Sequence, residues 1–174
     1  MSDPTGYEVL SQAFVAEGVD TMFALLGDAN MYWGAIMAQK YKVHIVHARH
    51  EHCAVAMADG YARHTGKVGV ATVTCGPGFT QIMTALTTAA RGSVPLVVFA
   101  GDSPTSAAWY VQQLELGPLA TATGARYLAV KSVDRSTSIN PASATDRRHP
   151  RTRCARRRLA RADCCAAIRL PRSP

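Results

Sequence analysis

The residues best suited to chemistry lie in two short segments. The first is "VHARHEHCAVAMADGYAR", residues 46–63, in which a single acid, Glu51, stands between His50 and His52 at the head of an Ala-rich stretch. The second is "TCGPGFTQ", residues 74–81, in which Gly76, Pro77 and Gly78 follow a Val-rich run. A carboxyl at a helix mouth can share a proton with a ligand, or it can simply answer the positive end of the helix dipole. A Gly-Pro-Gly turn can admit a ligand close to the backbone. Equally, it can only join strand to helix, since glycine permits the conformation and proline starts helices well. His44, His47, His50, His52 and His64 form no ligand pattern, because positions i and i+3 of a strand point to opposite faces, so no metal site is expected. His50 either lines a site beside Glu51 or serves as a cap or core residue. Cys154, Cys164 and Cys165 with His149 match no common zinc spacing, and an odd total of five cysteines is not a disulfide framework.

These residues need elements to hold them. "TGYEVLSQAFVAEG" carries Thr5 and Glu8 in capping-box spacing, then helical periodicity, then Gly18 as a stop. "TMFALLG" reads as a buried strand ending at Gly27, "ANMYWGAIMAQK" as a helix and "YKVHIVHA" as a strand. Residues 50–64 read as a helix and "KVGVATVT" as a strand. The Gly-Pro-Gly turn then feeds one helix ending at Gly92, followed by the strand "VPLVVFAG" and a last helix and strand through "RYLAVKSV". Alternation of helices with near-continuous apolar strands predicts an α/β fold with a parallel sheet flanked by helices. Ligands of open α/β sheets bind beyond the carboxyl ends of the strands. Gly27-Asp28, Glu51, the 76–78 turn and Gly101 all follow strands, so one edge of the sheet should gather them.

Net charge is +7, but the first 145 residues hold nine basic and ten acidic residues, and the excess is carried by ten arginines after them. From about residue 136 the text turns into Arg, Ala, Pro, Ser and Cys with no strand pattern, so the domain is set at 1–135 and 136–174 is expected to be a disordered basic tail. Such a tail attracts phosphates non-specifically, but it lacks aromatics for base stacking, so nucleic acid is not the expected partner. No apolar run reaches the roughly 18 residues of a membrane span, and "MSDPTGYEVL" is unlike a signal peptide, so a cytoplasmic chain is expected.

The order "LLGDAN", "RHEHCAVAMADGYAR", "TCGPGFTQIMTALTTA", "GDSPTS", each after a strand, resembles the N-terminal pyrimidine-binding domain of thiamine diphosphate enzymes, in the acetolactate synthase and 2-oxoacid decarboxylase branch. It covers residues 5–134. The resemblance implies that Glu51 hydrogen-bonds the pyrimidine ring nitrogen of thiamine diphosphate, favouring the imino form that removes the thiazolium C2 proton. The resulting ylide attacks a 2-oxoacid carbonyl. Apolar walls favour a carboxyl that shares its proton, and "CAVAMA" is expected to supply them. The resemblance further implies that Gly76, Pro77 and Gly78 let backbone approach the cofactor and that Gly27 and Asp28 line the substrate pocket. It puts a glutamine near the site, Gln112 or Gln113. Gln81 stands where the family usually has asparagine.

The family's second domain holds diphosphate and Mg²⁺ through a "GDG" with a later "NN", and neither occurs here. The chain is therefore expected to need a homodimeric full-length context or a separate diphosphate-binding subunit, and to be inactive alone. A two-subunit 2-oxoacid decarboxylase and a non-catalytic interaction protein with a nucleic-acid-binding tail are the alternatives. The abrupt change of text favours truncation by frameshift over a genuine split subunit.

Overall fold

The computed structural model describes residues 5–103 and 109–129, together with the backbone of a strand at 165–169. In chain order the elements are α1 (Gly6–Ala16), β1 (Thr21–Ala24), α2 (Met31–Gln39), β2 (His44–His47), α3 (Glu51–Thr65), β3 (Gly69–Val73), α4 (Pro77–Thr80), α5 (Met83–Arg91), β4 (Leu96–Ala100), α6 (Leu116–Ala122), β5 (Arg126–Ala129) and β6 (Cys165–Arg169). The expected capping box is present. Thr5 accepts from the Glu8 N–H while Glu8 accepts from the Thr5 N–H, so two donors that the helix leaves over are satisfied.

All strands are parallel, in the order β2-β1-β3-β4-β6-β5. Alternation along the strands sorts side chains into two layers. Met22, Val70, Val97 and Phe99 face Leu10 and Phe14 of α1 and Trp33 and Met37 of α2. Phe23, Ala71, Val73, Leu96 and Val98 face the small residues of α3 and α5 and Leu116 and Ala120 of α6. Trp33 lies edge-on to Phe14, with centroids 5.1 Å apart, and 4.5 Å from Phe99, so one aromatic stack ties α1 and α2 to β4. β3 and β4 are buried along their whole lengths, as parallel strands covered on both faces must be.

Two expectations are corrected. The helix after the Gly-Pro-Gly turn is not continuous: it breaks at Gln81–Ile82, where the buried Ile82 side chain drops into the core between the single turn α4 and the longer α5. A strand also arises where none was expected. Cys165–Arg169 pairs with β4 on one side and β5 on the other, so the sheet draws an interior strand from beyond the 1–135 boundary. The short run "CAAI" at its start is apolar, but the surrounding arginines hide it from periodicity. The expected disorder of the rest of 136–174 lies outside the described residues, as do Cys154, Cys164 and His149.

Two measurements test this packing. Gly60 is exposed in the middle of α3, and nothing lies within 4 Å of the place a methyl would take. Gly60→Ala should therefore raise stability by about 0.5–1 kcal/mol in urea unfolding. The sheet pairing of β5 is to β6, so a chain cut after residue 135 should lose amide protection at those β5 residues whose N–H groups face β6 while keeping it in β3. Unchanged β5 protection would show that β6 is dispensable.

Candidate functional site

Because the sheet is parallel, the loops after β1, β2, β3 and β4 open on one edge. The order β2-β1-β3-β4 puts the reversal of connection direction between β1 and β3, which is where open α/β sheets form a ligand crevice. Its walls are the segment after β1, holding Gly27 and Asp28, and the segment after β3, holding Cys75 to Gly78.

Glu51 opens α3 from the adjacent loop, half-buried, with His50 as N-cap. The His50 Nδ1 accepts from the His52 N–H at 3.1 Å, so of the two roles left open for His50 the structure displays the cap. The Glu51 carboxylate looks across at Gly78. A methyl group on Gly78 would come within 3.2 Å of Glu51 Oε1 and 2.8 Å of Thr74 Cγ2, so the absence of a Cβ is what lets the carboxylate and Thr74 lie this close to the turn. The apolar residues after Glu51 divide between the core and the surface. Ala54, Val55 and Ala58 are spent on the core under the sheet, and Cys53 and Ala56 are exposed.

The turn after β3 is built around Gly76, whose φ of 57° and ψ of −118° suit glycine alone. A second constraint acts at the same atom, since a methyl on Gly76 would overlap the Gln112 backbone carbonyl. Gln112 is thereby set against the turn. Its side-chain Oε1 accepts from the buried Cys75 Sγ at 3.3 Å and from the Tyr110 hydroxyl at 3.2 Å. Gln113 is exposed, so of the two glutamines the structure brings Gln112 to the turn. Pro77 is exposed at the first position of α4.

Gly27 meets the same turn from the other wall, because a methyl there would lie 2.9 Å from Thr74 Oγ1. Asp28 is exposed, between half-buried Gly27 and buried Ala29. Thr74 thus touches both walls, and it was missed in the sequence because a threonine ending a β-branched strand looks like any other. Its place before the Gly-Pro-Gly turn was the available signal. Among the described residues no three His, Cys, Asp or Glu side chains come together to hold a metal ion, and no helix is long and apolar enough to cross a membrane.

A family model described as "Thiamine pyrophosphate enzyme, N-terminal TPP binding domain" matches residues 4–118. The chain is similar to the acetolactate synthase large subunit of Haemophilus influenzae, 44% identical over 103 residues that make up 59% of this chain and 18% of that protein. It is 40% identical to the acetolactate synthase isozyme 3 large subunit of Escherichia coli over 107 residues, 61% of this chain and 18% of that one. To the mitochondrial acetolactate synthase catalytic subunit of Saccharomyces cerevisiae it is 39% identical over 103 residues, 59% of this chain and 15% of that one. The aligned part thus amounts to less than a fifth of each of these relatives.

Proposed function

Given that the chain belongs to the thiamine pyrophosphate enzymes, through their N-terminal TPP binding domain, we propose that it forms the pyrimidine-binding part of an acetolactate synthase-like enzyme acting on 2-oxoacids. Carboligation is the first reading, since the relatives are named acetolactate synthases, and simple decarboxylation the second. One observation carries the assignment: the Glu51 carboxylate faces the Cβ-free backbone of Gly78 at the carboxyl edge of the sheet.

The residues fit the pyrimidine end of thiamine diphosphate. A flat aromatic ring needs a stretch of backbone without a Cβ beside it, and Gly78, next to the Glu51 carboxylate, supplies one. A ring nitrogen needs a carboxyl to share a proton with, and Glu51 supplies it. The cofactor, when bound, supplies the carbanion and electron sink that 2-oxoacid chemistry requires. The chain's own work is to hold a proton at Glu51, to present the 76–78 backbone and to shape the pocket with Gly27, Asp28, Gln112 and the rim near His50. The core domain is taken as residues 1–135, with β6 added from the tail. Mg²⁺ and diphosphate would be held outside this chain, by a second domain or a separate subunit. A homodimer or such a partner, and a cytoplasmic location, belong to the same proposal.

The test is to mix the chain with a separately expressed diphosphate-binding domain of an acetolactate synthase, then measure thiamine diphosphate binding by calorimetry. Binding that requires both components supports the reading, and no binding in the mixture overturns it.

A further inference from the structure

We infer that Asn30 is the positioning residue of the Gly27–Asp28 loop and that it works through Thr72 in β3. The inference rests on the reading of that loop as a wall of the pocket. Asn30 precedes α2 and has no solvent exposure, yet its side chain makes no capping bond to the helix it heads. It turns back instead. Oδ1 accepts from the Gly27 N–H at 2.8 Å. Nδ2 donates to the Leu25 carbonyl at 3.1 Å and to Thr72 Oγ1 at 2.9 Å. Both amide hydrogens and the amide oxygen are engaged. The reversed orientation would set N–H against N–H at Gly27, so the geometry admits one placement.

Thr72 is itself fully buried, in the strand that forms the opposite side of the crevice. The loop after β1 is therefore tied across the crevice to β3 by a side chain, rather than only by its own backbone. Two close approaches complete the hold. Gly27 lies against Thr74, and Ala29 lies so close to Gly101 that a methyl there would overlap it. With Gly27, Ala29 and Asn30 anchored, Asp28 is the exposed residue of a loop that has little freedom. Buried amides satisfied in this way rigidify what they hold, and a half-satisfied network loses that effect.

The test uses the full chain and amide hydrogen exchange read by NMR, which does not depend on cofactor or catalysis. Thr72→Val keeps the shape of the buried residue but removes the acceptor of Asn30 Nδ2. Asn30→Asp keeps the Gly27 contact but turns an oxygen towards the Leu25 carbonyl. Both should speed exchange of the Gly27 amide by roughly tenfold, with Val98 in β4 changing less than about twofold. The double variant should exceed the larger single effect by little, because both act through one connection. The carboxyl carbon signal of Asp28 should broaden or split in Thr72→Val. If Thr72→Val leaves Gly27 exchange and the Asp28 signal as in the wild type, the inference is overturned. It is equally overturned if Val98 accelerates in step with Gly27, because Asn30 then serves only general stability. Should Asn30→Asp fail to fold, Thr72→Val decides alone. A chain that passes here but fails to bind thiamine diphosphate with its partner domain would refute the functional reading and leave the brace standing.

Discussion

Glu51→Gln is expected to leave the fold intact and to abolish nearly all activation of the cofactor. Glutamine has the length and shape of glutamate, and Glu51 is half-buried at the first turn of α3, so the cost to the fold is the lost attraction to the helix dipole, about 0.3–1 kcal/mol. The chemical cost is far larger. An amide cannot pass a proton to and from a ring nitrogen, and loss of a positioned acid–base group costs about 10²–10⁴-fold in rate. The measurement is deuterium exchange at the thiazolium C2 of thiamine diphosphate, bound by this chain together with a diphosphate-binding domain. Exchange in the variant should fall by that factor while the melting temperature drops by no more than a few degrees. Exchange equal to the wild type would remove Glu51 from the mechanism and leave it as a helix-terminal acid. Glu51→Asp withdraws the carboxyl by one methylene from the space beside Gly78 and should fall between the two.

The second large effect is on stability. Gly76→Ala should destabilise the chain by roughly 3 kcal/mol or more, from two costs that act at one atom. The backbone at φ 57°, ψ −118° is strained for any residue with a Cβ, and the added methyl would run into the Gln112 carbonyl. A flexible side chain could move aside, but a backbone carbonyl cannot do so without shifting its segment, and the Cys75 bond to Gln112 opposes that shift. Urea midpoints of Gly76→Ala and Gly60→Ala should move in opposite directions from the wild type. A Gly76→Ala chain within about 1 kcal/mol of the wild type would show that the turn can re-form around an alanine. The pair also separates glycines kept for space from glycines that are merely present, a distinction no residue count makes.

Much of the candidate site was legible because its signals are local. Thr5 and Glu8 announce their capping box within four residues, and Gly76-Pro77-Gly78 announces a turn within three. That Glu51, Gly27 and the turn share an edge follows from parallel strands alone, since every strand then delivers its following loop to the same side. The near-continuous apolar runs, interleaved with helices, that predict a parallel sheet are a property of neighbouring residues, so the sequence by itself determined the class of fold and the membership of the edge.

Tertiary structure decided what depends on residues far apart in the chain. Strand order is one such case: nothing in "HIVH" or "CAAIR" says that the first lies outermost beside β1 while the second enters between β4 and β5. The choice of Gln112 over Gln113 is another, because it rests on which carbonyl meets Gly76 from 36 residues away. Asn30 carries no signal of its own within "ANMYWGAIMAQK", and only its bond to Thr72, 42 residues on, reveals a brace. Short-range periodicity fixes which residues face in. The partner each one meets is set by packing the whole sheet at once, a long-range balance of burial and hydrogen bonding that no local pattern encodes.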